Sequence, residues 1–128
     1  ADVPLVAAVW NTTGFGDSSD FTWGSAAPDI AVPTAFAVAP GATPRLTMSN
    51  NADEPVEVTV RDALGEERKI TVPAHSGARV AVAANSISVL DPGTGAVQAS
   101  ITYAGAGALS GYALWPANTV TAPIVVYP

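Results

Sequence analysis

Between Leu46 and Val82 apolar residues recur at every second position. Val56, Val58 and Val60 alternate with Glu57, Thr59 and Arg61. A period of two marks a strand with one face on a core and the other in water. Leu46 and Met48 open the pattern, Ile70 and Val72 continue it, and Val80 and Val82 close it. Farther along, Val97, Ala99, Ile101 and Tyr103 alternate with Gln98, Ser100 and Thr102. Turn residues divide these segments. Asn50 to Pro55, Ala63 to Glu67 and Pro73 to Gly77 are three such breaks, and Gly65 is able to take positive φ. Asp91-Pro92-Gly93-Thr94-Gly95 is the clearest turn in the chain.

The flanks are shorter and less regular. Val3 to Trp10 reads as extended, with Pro4 at a strand start or edge. Asn11 to Asp20 reads as a polar loop, and Phe21-Thr22-Trp23 alternates again. Pro33, Pro40 and Pro44 forbid a regular helix across the alanine-rich stretch, leaving one strand around Ala35 to Val38. Ser86 to Leu90, Gly107 to Trp115 and Thr119 to Tyr127 complete the predicted strands. The one helix-compatible window, Ala63 to Lys69, is too short to stand alone in water. Short strands separated by frequent turns predict an all-β, antiparallel sandwich of about 7–9 short strands with no substantial helix. Ala7-Ala8-Val9-Trp10 echoes Tyr112-Ala113-Leu114-Trp115. The echo reads either as residues 1–10 closing a preceding repeat of a parent protein or as chance similarity among alanine-rich strands.

Composition narrows the classes. With 128 residues, 48% hydrophobic and 12% charged, the chain is one folded domain spanning residues 1–128 rather than a disordered segment. There is no cysteine, which removes disulfides and thiolate metal sites. The net charge is −6, and all basic residues (Arg45, Arg61, Arg68, Lys69, Arg79) fall in the central region. No basic surface capable of tracking phosphates is expected, so nucleic acid is excluded as a partner and anionic membranes are disfavoured. No run approaches the roughly 18 apolar residues of a membrane span, so direct membrane insertion is not expected. The opening Ala1-Asp2-Val3-Pro4 carries no basic-then-apolar leader and reads as a piece trimmed from a longer protein.

Catalytic chemistry finds few residues to use. His75 is the only histidine, and the segment around Ser110, Gly107-Ala108-Leu109-Ser110-Gly111, lacks a nucleophile elbow. His75 is therefore expected to be a solvated loop imidazole. One imidazole and no thiolate do not supply a zinc site. Asp17-Ser18-Ser19-Asp20 lacks the register of a calcium loop and reads as a polar loop. The pairs Asp53–Glu54 and Glu66–Glu67 sit on turns, where neighbouring carboxylates seldom converge across a cleft. Gly105 to Gly111 has neither the spacing nor the lysine of a phosphate loop. Asn11-Thr12-Thr13 matches a glycosylation acceptor, a three-residue pattern that carries no weight by itself. No catalytic residue, cofactor or metal ligand is assigned, and the chain is read as a non-enzyme.

Aromatic residues are the better lead. Trp10, Trp23, Trp115, Phe21, Tyr112 and Tyr127 are the candidate ligand or partner contacts, Trp and Tyr offering large area at small entropic cost. Two dispositions compete: a platform for stacking sugar rings or anchoring a protein, and burial as plugs of the sandwich. Burial is the expectation for the three tryptophans, because it is their common fate in such folds. From Val80 to Pro128 only Asp91 is charged, and Ile124-Val125-Val126-Tyr127 carries no charge at all. Since exposed edges normally carry charge, this face is expected to meet another domain or a partner.

The succession VPLVAAV, DFTW, LTMSNNADEPVEVTV, ITVPAHSGARVAV and GALSGYALW resembles an actinobacterial family of secreted or membrane-anchored proteins of unknown function. The resemblance covers nearly the whole chain through loose motifs. It implies an immunoglobulin-like sandwich, tandem in its parent, in an extracytoplasmic, cell-envelope setting. It transfers no catalytic residues. The combined expectation is a non-catalytic structural or interaction module whose partner is a neighbouring domain or protein. A carbohydrate-binding module using exposed tryptophans is the alternative. Val58→Asp is expected to abolish folding, because an unpaired carboxylate in the core costs several kcal/mol, on the order of the whole stability. Glu57→Ala, on the opposite face, is expected to shift the urea midpoint by less than about 0.5 kcal/mol equivalent.

Overall fold

The computed structural model describes residues 8–13, 20–105 and 108–116. Its described elements are all strands: β1 (Ala8–Thr12), β2 (Phe21–Ser25), β3 (Thr34–Val38), β4 (Arg45–Asn50), β5 (Val56–Asp62), β6 (Glu67–Val72), β7 (Ser76–Ala81), β8 (Ser86–Asp91), β9 (Gln98–Gly105) and β10 (Ala108–Ala113). They form two four-stranded sheets, ordered β10-β9-β4-β7 and β3-β8-β5-β6, and a separate two-stranded ribbon, β1-β2. Every pairing is antiparallel. The predicted Thr119 to Tyr127 strand, with Tyr127, lies outside the described residues. The predicted loop beginning at Asn11 starts later, since Asn11 and Thr12 complete β1.

The core lies between the two sheets and is built by alternation. Leu46 and Met48 of β4, with Ala99, Ile101 and Tyr103 of β9, face Phe36, Val38, Val58, Val72 and Leu90 of the other sheet. In β3 the alternation is complete: Thr34, Phe36 and Val38 are buried while Ala35 and Ala37 are exposed. Glu57 points outward and pairs with Lys69 Nζ at 3.0 Å. Ile30, ahead of β3, is fully buried and exchanges backbone hydrogen bonds with Val97 at 2.8 and 3.1 Å, which draws the entering chain into the core.

The connections are where the structure departs from a simple hairpin reading. Within the two four-stranded sheets only β5–β6 and β9–β10 join sequence neighbours in one sheet. The β5–β6 turn is set by the Asp62 carboxylate, whose Oδ1 accepts from Leu64 and Glu66 N–H at 2.9 Å each, with Gly65 at φ +85°. Asn50 to Pro55 instead carries the chain from one sheet to the other, as do the links β3–β4, β6–β7, β7–β8 and β8–β9. Three of these crossings contain a non-glycine residue at positive φ: Thr43 (44°), His75 (48°) and Asn85 (53°). Positive φ lets the chain reverse sharply at these three crossings, and for a non-glycine residue it is uncommon enough to require support from its surroundings.

Asn50 gives that support at one end. It is buried, and its Nδ2 donates to the carbonyls of Glu54 (2.7 Å), Val72 (3.1 Å) and Pro73 (3.3 Å), while its Oδ1 accepts from Ala52 N–H at 2.9 Å. One side chain thus ties the β4–β5 crossing to the β6–β7 crossing. Asn50→Ala removes the side-chain bonds to the Ala52 N–H and to the carbonyls of Glu54, Val72 and Pro73, the one to Val72 being buried. A loss on the order of 3 kcal/mol is expected by urea denaturation, against almost none for exposed Asn51→Ala. Equal midpoints for the two variants would contradict this role.

Candidate functional site

Three features stand outside the packed core: an aromatic face, a polar groove and an apolar cleft. The aromatic face belongs to the ribbon. Trp10 is the register partner of Trp23, and Thr12 of Phe21, so Trp10, Phe21 and Trp23 share one side. They are 52%, 58% and 66% exposed, respectively. Trp115, after β10, is 68% exposed. The expectation that the tryptophans plug the sandwich is therefore wrong for all of them. The two sheets close their core with Leu, Ile, Val and Met, and the ribbon carrying Trp10 and Trp23 belongs to neither sheet.

An isolated two-stranded ribbon is marginal in water, so its attachment matters. Asp20 supplies it. Its Oδ1 accepts from Phe21 N–H at 2.9 Å and its Oδ2 from Leu109 N–H at 2.8 Å, joining the base of β2 to β10. Its own N–H donates to Thr13 Oγ1 at 2.9 Å. Both Asp20 carboxylate oxygens hold backbone N–H groups, a structural use of this side chain. The rest of Asp17 to Ser19 lies outside the described residues.

The ribbon's other side, with Asn11 and Thr22, lies over the outer face of the β10-β9-β4-β7 sheet. Between them is a groove of ≈ 450 Å³. Thr47, Ser49, Gln98, Ser100 and Thr102 form its floor, all half-buried although they point away from the core. Gln98, Ser100 and Thr102 belong to the uncharged stretch expected from the sequence to meet another domain or a partner, whereas Thr47 and Ser49 carried no such signal.

The cleft opens between the two sheets at one end. It measures ≈ 1170 Å³ and is lined by Phe36, Val60, Val80, Val82, Leu114 and Trp115 among others. Nearby, the uncharged edge strand β3 is covered from the opposite sheet. Tyr103 hydroxyl donates to Ala39 O at 3.0 Å and Tyr112 hydroxyl donates to Ala37 O. The two rings lie 6.4 Å apart at 40°. Tyr112 is thus a partly exposed edge cap rather than a free contact residue, although it remains 39% exposed.

His75 is not isolated: its Nε2 lies 2.8 Å from Asp53 Oδ1. Both side chains are largely exposed on a sandwich end, and Ser110 sits on β10 at the opposite sheet edge from β7, so no triad forms. Glu66 and Glu67 flank the β5–β6 turn, Glu67 pairing with Arg61 Nη2 at 2.8 Å. Among the described residues no three His, Asp or Glu side chains converge as a metal site, and no helix is long and apolar enough to cross a membrane. No protein-family model matches the chain, nor does any curated protein or solved structure.

Burial, with the Tyr112 hydroxyl as a further contribution, pushes the Tyr103 phenol up to about 12. In the unfolded chain a tyrosine titrates near 10. The neutral phenol therefore contributes its full stabilisation below pH ~10, and that contribution is lost as pH rises through the folded value. The urea midpoint is expected to fall more steeply between pH ~10 and ~12 in the native protein than in Tyr103→Phe. Parallel slopes would remove Tyr103 as the cause.

Proposed function

We propose that this domain is a non-catalytic interaction module of a larger cell-envelope protein, contacting a neighbouring domain or protein partner through the aromatic face of its ribbon. The observation that carries the reading is the exposure of Trp10, Phe21 and Trp23 together on one side of β1–β2. Aromatic side chains gathered on an exposed surface mark a contact site, because leaving them in water forgoes a large burial gain. The dispersed acidic and basic pairs, Arg61–Glu67 and Lys69–Glu57, occupy the opposite sheet and fit a solvated outer side. The extracytoplasmic setting and the immunoglobulin-like kinship rest on the sequence resemblance to secreted and membrane-anchored actinobacterial proteins.

Iodide quenching of tryptophan emission tests the contact. In the isolated chain Trp10 and Trp23 are expected to be quenched readily. In the complete parent protein the corresponding emission, isolated by Trp115→Phe and replacement of tryptophans elsewhere, is expected to be shielded at least ~3-fold, as burial in an interface core requires. Equal quenching in both settings would remove the aromatic face as a docking surface.

A further inference from the structure

We infer that the apolar cleft at one end of the sandwich is the docking site for this chain's own residues 117–128. Among the described residues none of the ribbon lines the cleft, so the inference is independent of the partner proposed for the aromatic face.

The cleft forms where inward-facing positions run past the packed core. On β5, Val56 and Val58 are buried, whereas Val60, on the same side of the strand, is only half-buried. Val80 of β7 and Val82 just beyond it are half-buried in the same way. All three valines line the cleft, together with buried Phe36, Val38 and Leu114. Apolar side chains left partly in water at the end of a core forgo part of their burial gain, so a covering layer is favoured. The volume, ≈ 1170 Å³, exceeds the range of about 300–1,000 Å³ typical of small-molecule sites and suits a length of chain.

Continuity names the occupant. Leu114 and Trp115 form part of the wall, and after Pro116 the chain continues as residues 117–128, ANTVTAPIVVYP, which lie outside the described residues. An extended chain spans up to about 3.3–3.6 Å per residue, so this length reaches across a cleft whose wall it adjoins. It has no charged side chain, and Val120, Ile124, Val125 and Val126 are apolar. Tethering gives it the millimolar effective concentration typical of short linkers, far above that of a second copy in dilute solution.

Charge on the lining does not oppose such an occupant. It is confined to the β5–β6 side, where Asp62 holds the turn, Glu67 pairs with Arg61, and Arg68 Nη1 donates to Ala81 O at 3.0 Å. The walls formed by β3, β7 and β10 carry no charged side chain. An uncharged segment therefore meets no unpaired charge along them.

Disulfide trapping in the full chain, which has no cysteine of its own, tests the inference. Val82→Cys is combined with Val125→Cys, or with Ile124→Cys to sample the other side of an extended segment, and oxidised at high dilution. At least one pair is expected to give a cross-linked monomer. It is expected to form at least ~10-fold faster than with Ala81→Cys, on the outward side of β7, because a disulfide tolerates only a Cα separation of about 4.4–6.8 Å. Trp115 supplies a second readout once Trp10→Phe and Trp23→Phe leave it as the sole tryptophan. Ile124→Asp with Val125→Asp is expected to raise iodide quenching of its emission at least ~2-fold, since unpaired carboxylates do not follow the segment into an apolar cleft. Asn51→Asp, an added charge at the opposite end of the sandwich, is expected to leave quenching unchanged. A cross-linked dimer in place of the monomer would assign the cleft to a second copy and overturn the inference. Equal trapping by Val82→Cys and Ala81→Cys, no trapping at all, or unchanged quenching in the Asp variant would overturn it as well. The quenching arm uses different variants, so a misfolded Val82→Cys leaves the test standing.

Discussion

The layer of side chains between the two sheets is the constraint on which the other features stand. Leu46, Met48 and Ile101 from one side meet Val58, Val72 and Leu90 from the other, all of them essentially removed from water. Burial of such side chains contributes roughly 1.5–3 kcal/mol each relative to exposure. Because strands alternate, committing one set of positions to this layer commits the intervening set to the outside. The hydroxyl floor of the groove is that second set on β4 and β9. The charged ladder of Arg61, Glu67, Lys69 and Glu57 is its counterpart on β5 and β6.

Closing the sandwich leaves backbone groups to satisfy at its ends and edges, and polar side chains do this work. Asn50 holds two inter-sheet crossings at one end. Tyr103 and Tyr112 reach from one sheet to the edge carbonyls of the other. Asp20 fastens the ribbon to β10. Each acts between segments distant in the chain, and each replaces a missing ladder bond with a side-chain one. Tyrosine hydroxyls cover part of the uncharged β3 edge, a different solution from the charged Glu67, Arg68 and Lys69 that protect β6.

The ribbon has no place in that core and is amphipathic in an unusual sense. The side carrying Asn11 and Thr22 lies toward the sheet, and the side carrying Trp10, Phe21 and Trp23 faces water. Gly111 and Ala113 lie on the outer face of β10, and Gly111 fits closely against β9, where an added Cβ would meet Ile101 O at 2.8 Å. The ribbon thereby shelters part of the sheet's outer face while presenting Trp10, Phe21 and Trp23 to water.

Local sequence determined the all-β class, the approximate strand positions and the sidedness of each strand, because a two-residue period is written directly into side-chain order. Val56-Glu57-Val58 is buried, exposed and buried in the folded chain, as its alternation requires. Tertiary structure decided which strands pair. Asn50 to Pro55 has the composition of a hairpin turn, yet it joins different sheets, since alternation sets a face and leaves the neighbour open. Tertiary structure also decided the fate of the tryptophans. Trp10 and Trp23 occupy one side of an alternating ribbon, but whether that side meets a core or water depends on what the opposite side touches. Here the opposite side meets a hydroxyl-bearing sheet surface, and only the packing of distant segments brings the two together.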